Sequence, residues 1–258
     1  MTARLVVLGS CGAWPEPGRA CSGFVMEHDS YRVVLDLGYG TLPRLLELLD
    51  STVGDGIDAV VISHRHADHM IDLHGLFRAR WYGRRTAPSI PLYAPPGVLE
   101  LVAGLEEGDA DAVRHVFDWR EIPCGATGLG PLHVETWALP HFVPNVGVRL
   151  SCPDFTVAYT GDTGPTPALA ELGKDADLFI VEATSRDQQQ GSQPSYTPER
   201  LLLTARDAGV AATAAGARRL MLTHFWPGND RELSRAEAAA EFDGEILIAE
   251  EGMVVALD

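Results

Sequence analysis

Basic side chains are scarce in this chain: 20 Lys and Arg stand against 36 Asp and Glu, giving a net charge of −16 and a pI near 4.9. Binding to a phosphate backbone depends on clustered cations, so long nucleic acids are poor partners for such a surface. No apolar run reaches the roughly 18–20 residues that a membrane span requires. The opening MTARLVVLGSCG has one Arg and then a short β-like run without a long apolar core, so no export signal is expected. The four cysteines (Cys11, Cys21, Cys124, Cys152) show no CxxC spacing. That pattern fits reduced, structural thiols in a cytoplasmic protein better than a disulfide framework. Internal repeats, low-complexity linkers and composition shifts are all missing, so residues 1–258 read as one domain.

What is present is the balance of a folded α/β protein, with 46% hydrophobic and 22% charged residues. Residues 4–9 read as a buried strand, and FVMEH with YRVVLDLG as a hairpin turning around His28, Asp29 and Ser30. Leucines at 42, 45, 46, 48 and 49 give residues 41–50 an amphipathic helical pattern, with Pro43 tolerated in the first turn. Further helices are expected over 72–85, from PPGVLELVAGL, over the Ala-rich 197–216 and over 233–242. Strands are expected at IDAVVIS, PLYAP, 132–139, 146–151, FTVAY, DLFIVE, RRLMLT, 245–249 and 253–256. Residues 186–196 (RDQQQGSQPSY) read as a mobile surface loop. Early hairpins, alternating helices and a terminal strand pair suggest two packed sheets with helices outside, a four-layer α/β/β/α sandwich, a pattern that other α/β arrangements share.

One form recurs along this pattern: an apolar strand followed by a loop carrying His or Asp. It occurs at VVIS-HRHADH, WALP-H, VAYTG-D and LMLT-H. SHRHADHM puts His64, His66, Asp68 and His69 within six positions, and His141, Asp162 and His224 supply three more loop-borne donors. Each of the last three alone would read as a loop His, a turn Asp or a core His. Seven donors exceed what one zinc uses and suit two ions sharing one carboxylate. Imidazole-rich ligation favours Zn2+, and ligand type alone leaves Mn2+, Fe2+ and Ni2+ open. His28, His74, His115 and His133 read as surface or core residues.

From VLGSCGAWPEPGRACSG and LDLG through SHRHADH, PH, YTGDTG and VEAT to LTHF, the chain resembles the metallo-β-lactamase superfamily. Within it, the order of these pieces is similar to the branch of the RNase Z enzymes and bacterial cyclic-nucleotide phosphodiesterases. The resemblance implies the metallo-β-lactamase fold. It assigns one metal to His64, His66 and His141 and another to Asp68, His69 and His224, with Asp162 bridging. It also implies a catalytic Glu182, from the VEAT stretch, which orients a His near the start of the following helix that assists the leaving group. Here the chain departs from the branch, because Leu202 of ERLLLTARDAG stands where that His is expected. Glu182 then reads either as a catalytic group or as an anchor for a ligand.

Two such ions lower the pKa of bound water and polarise the scissile group, so hydrolysis is the expected chemistry, with Asp68 orienting the nucleophile or passing its proton. A small phosphodiester leads as substrate. A carboxylic ester, lactone or thioester is the alternative that Leu202 favours, and a non-catalytic metal-binding protein is the reading from another class. A small molecule is the expected partner, with no nucleic-acid polymer and no membrane, and a homodimer remains open. Arg65, Arg186, Tyr196, Trp226 and Asn229 are candidate pocket residues from their positions beside the donors.

Overall fold

A computed structural model describes residues 3–106, 110–122, 125–184 and 200–257. The first half runs β1 (Ala3–Gly9), β2 (Gly23–His28), β3 (Tyr31–Leu37), α1 (Thr41–Leu48), β4 (Ala59–Val61), α2 (Ala67–Met70), α3 (Asp72–Gly83), β5 (Ile90–Ala94), α4 (Val98–Gly104), α5 (Ala110–Val116) and β6 (Phe117–Glu121). The second half runs β7 (Gly125–Leu129), β8 (Leu132–Leu139), β9 (Asn145–Cys152), β10 (Phe155–Tyr159), α6 (Ala168–Leu172), β11 (Leu178–Glu182), α7 (Ala205–Ala215), β12 (Arg219–Thr223), α8 (Arg231–Ala239), β13 (Glu245–Ile248) and β14 (Val254–Ala256).

Among the described residues the strands form two seven-stranded sheets, ordered β14-β1-β2-β3-β4-β5-β6 and β13-β12-β11-β10-β9-β8-β7. Each sheet is antiparallel where hairpins join its strands and parallel where helices cross over, as at β3-β4-β5-β6 and β10-β11-β12-β13. The inner faces meet in one apolar layer that includes Leu5, Phe24, Leu35, Leu150, Val157 and Ile180. The outer face of the first sheet is covered by α1, α3, α4 and α5 through Leu45, Phe77, Val102 and Val113. The outer face of the second is covered by α6, α7 and α8 through Leu172, Ala208, Ala212 and Ala238. This is the expected α/β/β/α sandwich.

The alternation of inner and outer residues breaks once in β3, with a consequence for the site. Val33 and Leu35 face the inter-sheet core while Val34 faces the helices, as period-two alternation requires. Leu37 should then face inward with Leu35, yet it packs with the helices. The cause is a bulge: Phe24 pairs with Leu35 and Gly23 with Leu37, leaving Asp36 without a partner across the ladder and at φ +57°. The extra residue reverses the alternation and re-aims Asp36.

Three expectations need correction. The helix expected over 197–216 starts at Ala205. Thr204 caps it, accepting a hydrogen bond from the Asp207 N–H while Asp207 reaches back to the Thr204 N–H. This T-x-x-D capping box fixes the start against the helical propensity of Leu201–Leu203. The last two strands do not pair with each other: β13 joins β12 in the second sheet and β14 joins β1 in the first. Strands β6 and β7 were not anticipated, because exposed residues interrupt their apolar pattern. The loop expected over 186–196 lies outside the described residues.

Candidate metal centre

The donors come from strand ends at one end of the sandwich. After β4, the chain gives His64 and His66, and the short α2 turns Asp68 and His69 to the same side. His141 follows β8, Asp162 follows β10 and His224 follows β12. Close packing there leaves no room for a side chain at Gly12 and Gly38. A Cβ on Gly12 would lie 2.6 Å from the His224 ring, and one on Gly38 would lie 1.8 Å from the Asp68 carbonyl oxygen.

All seven predicted donors come together, in two groups. His64, His66, His141 and Asp162 form one, Asp68, His69, Asp162 and His224 the other, with donor atoms within 4.8 Å of one another in each. In the first group His66 Nδ1 is 3.0 Å from His64 Nε2 and 3.1 Å from His141 Nε2. In the second, His224 Nε2 lies 3.2 Å from Asp68 Oδ2 and 3.3 Å from Asp162 Oδ2, and His69 Nε2 lies 3.3 Å from Asp162 Oδ1.

These contacts fit cations. Three imidazole nitrogens converge at His66 Nδ1, and ring lone pairs at that spacing need a shared positive charge. His69 Nε2 and Asp162 Oδ1 are buried and, beyond their 3.3 Å approach to each other, have no hydrogen-bond partner among the described residues, which is costly unless an ion satisfies them. The opposite ring nitrogens are engaged. His69 Nδ1 meets Asp36 Oδ2 at 2.7 Å, His64 Nδ1 meets Ser63 Oγ at 3.0 Å, His224 Nδ1 meets Thr184 Oγ1 at 2.8 Å and His141 Nδ1 meets the Leu201 carbonyl at 3.0 Å. Each contact fixes a tautomer with Nε2 left for a metal.

Protonation agrees with that role. Burial, together with neighbouring imidazoles, pushes His64, His66 and His141 down and keeps them neutral. Burial would raise Asp162 and Asp68, but the adjacent His69 and His224 outweigh it and hold both carboxyls below the usual range. His69 goes the other way: burial lowers it, but Asp162, Asp68 and Asp36 together push it well up. A cation entering the second group would displace that proton.

The outer residues are the ones sequence reasoning missed. Asp36 accepts from the Ser63 N–H, the Ser63 hydroxyl, the Tyr159 hydroxyl at 2.7 Å and His69. Ala13 donates its N–H to Asp68 Oδ2 at 2.7 Å. Thr184 donates to Glu182 while accepting from His224. The signals for Asp36 and Thr184 lay inside LDLG and VEAT, and that for Ala13 inside GSCGAW. Glu182 is fully buried, and the N–H groups of Thr163 and Leu203 and the Thr184 hydroxyl engage it. Through Thr184 it lies behind His224, the place of the anchor reading. Among the pocket candidates, Asn229 donates to the Thr184 carbonyl and so supports the same chain of contacts. Trp226 packs edge-on against Trp14 at 5.0 Å, Arg65 is exposed, and Arg186 and Tyr196 lie outside the described residues.

Two sheets in an α/β/β/α sandwich, with paired His/Asp clusters at the strand ends, define a metal-site protein of metallo-β-lactamase type. Residues 31–225 match the model of the Beta-lactamase superfamily domain, and the chain belongs to this superfamily. It is 34% identical over 253 residues to an uncharacterised protein of Mycobacterium leprae, covering 95% of this chain and 86% of that one. It is similar to the probable metallo-hydrolase YhfI of Bacillus subtilis, at 28% identity over 254 residues, 97% of this chain and 98% of the relative. The crystal structure of YhfI superposes with a TM-score of 0.85 at 26% identity, covering 99% and 100% of the two chains. Ribonuclease Z of Myxococcus xanthus is 27% identical over 307 residues, covering 98% of this chain and 97% of that protein. No helix among the described residues is long and apolar enough to cross a membrane.

Proposed function

We propose that this protein is a metal-dependent hydrolase that binds two divalent ions, zinc foremost, and cleaves a small phosphodiester. The observation that carries the reading is Asp162, whose carboxylate belongs to both donor groups. His64, His66 and His141 would hold one ion and Asp68, His69 and His224 the other, with Asp162 shared by both groups. The ions supply activated water at neutral pH and Lewis acidity toward the scissile group. Asp68, with Oδ2 fixed by the Ala13 N–H, would orient the attacking water. Asp36 and the Glu182–Thr184 pair hold His69 and His224 in the ligating tautomer. Trp14 and Trp226 offer an aromatic surface one or two residues from Ala13 and His224, suited to the flat organic part of a small substrate.

The similarity to Ribonuclease Z supports phosphodiester chemistry, and the net charge of −16 argues against an RNA polymer as the physiological substrate. Leu202, a hydrocarbon where the resemblance expects a His, favours a second reading in which the substrate is a carboxylic ester, lactone or thioester. Chelated protein reloaded with Zn2+ or Mn2+ and assayed on bis(p-nitrophenyl) phosphate and p-nitrophenyl acetate separates the two. Metal-dependent turnover of the first, abolished in Asp162→Asn, supports the phosphodiesterase. Turnover of the acetate alone supports the second reading, and bound metal with neither activity makes the chain a binding protein.

A further inference from the structure

The geometry points to a third cation site, formed by His28, Cys152 and Asp154 and separate from the paired centre. His28 ends β2 in the first sheet; Cys152 ends β9 and Asp154 lies in the β9–β10 turn of the second. Their ligand atoms lie within 4.8 Å of one another. The strands that deliver donors to the paired centre do so from their C-terminal ends, and β2 and β9 run antiparallel to their neighbours β3, β8 and β10. The cluster therefore occupies the far end of the sandwich.

A second observation, independent of the clustering, concerns His28. It is 8% exposed, and both ring nitrogens are buried with no hydrogen-bond partner among the described residues. An imidazole always carries at least one N–H and, when neutral, one lone pair, so leaving both unmet costs free energy that folding ordinarily avoids. A bound cation accounts for one nitrogen directly. The Phe155 ring packs edge-on against His28 at 5.4 Å and 81°, which limits how the imidazole can turn.

The donor set selects the ion. One nitrogen, one sulfur and one carboxylate oxygen match zinc or a neighbouring late first-row ion, whereas calcium and magnesium take oxygen ligands. Three protein ligands leave a fourth tetrahedral position for water. Cys152 is a half-buried free thiol that binds as thiolate, releasing its proton to solvent. An ion held there ties β2 of one sheet to the β9–β10 turn of the other, so the site is a clamp between sheets.

Cobalt(II) substitution of the full-length, reduced protein tests this. The paired centre has no sulfur ligand, so thiolate-to-cobalt charge-transfer absorption in the near ultraviolet reports the third site alone. The wild type is expected to show that band and to bind one more Zn2+ per chain, by elemental analysis after equilibrium dialysis, than Cys152→Ser or His28→Gln. The visible d–d absorption of the imidazole-bound ions persists in both variants if they are folded, which separates loss of the site from loss of the protein. A wild type without the band, a band that survives Cys152→Ser, or equal zinc content in wild type and variant overturns the proposal. None of these outcomes depends on which ester the paired centre cleaves.

Discussion

The Nδ1 atom of His69 lies 2.7 Å from Asp36 Oδ2, and both side chains are completely buried. Asp36 reaches this position only because the bulge in β3 turns it away from the alternation of its strand. One carboxylate then organises two metal-facing histidines, His69 directly and His64 through the Ser63 hydroxyl. Asp36→Asn keeps the shape but replaces one acceptor oxygen by an NH2 group, against donors already in place. We expect zinc affinity to fall by about 10- to 100-fold, the range seen when such supporting groups are lost. Competition titration with a chromophoric chelator reads this, and an affinity within twofold of wild type contradicts it.

A second support runs from Glu182 through Thr184 to His224. Thr184→Val preserves volume while removing both hydrogen bonds and leaving buried Glu182 one donor short. The expected result is about tenfold weaker binding at the Asp68, His69 and His224 site, with a stability loss of about 1–3 kcal/mol. Thr184→Ser retains the hydroxyl and should restore the affinity. Calorimetric titration of the two variants beside wild type checks the pair, and a Thr184→Ser protein as weak as Thr184→Val would show that the hydroxyl alone does not carry the support.

The seven donors were legible in the sequence because each follows an apolar strand, and a strand end is a place where loop chemistry is held rigidly. The sandwich was legible for the same reason: strand and helix patterns alternate clearly over most of the chain. What escaped was whatever depends on a one-residue irregularity. Nothing in YRVVLDLG announces that Asp36 is the bulged position, because a bulge is defined by its partner strand. The burial of Glu182 and its donors Thr163 and Leu203 were equally invisible in VEAT, because those donors come from other segments. The start of α7 was readable from Thr204 and Asp207, but the leucine-rich residues before it obscured the capping box.

Far from the paired centre, Glu27 is buried between Arg32, at 2.6 Å, and Arg4. Burial alone would raise its carboxyl, but hydrogen bonds from Arg32 and Arg4 outweigh that and keep it below the usual range. A carboxyl depressed in the folded state stabilises above its unfolded pKa of about 4.3 and loses that contribution as pH falls through the folded value. Glu27→Gln should therefore cost about 1–2 kcal/mol at pH 7, a figure held down by the exposure of Arg4. As pH falls below about 4 the difference from wild type should narrow. Urea melts at pH 7 and pH 3.5 measure both, and a gap that widens in acid would reverse the sign of the argument.

Leu202 is 5% exposed and lies between two residues that touch the site, since the Leu201 carbonyl holds His141 and the Leu203 N–H bonds Glu182. If phosphodiester cleavage here lacks only a proton donor for the leaving group, Leu202→His should supply it. The gain must then depend on the leaving group. A p-nitrophenolate departs without help, so bis(p-nitrophenyl) phosphate turnover should change little. A 3′,5′-cyclic nucleotide expels a ribose alkoxide that needs protonation, and its kcat/KM should rise by about 100-fold or more. Placing an imidazole in this buried position costs about 1–3 kcal/mol, so a thermal melt must accompany the kinetics. A folded variant with equal, small changes on both phosphodiesters and on p-nitrophenyl acetate would show that the missing histidine does not set the substrate, and would shift the assignment to the carboxylic ester reading.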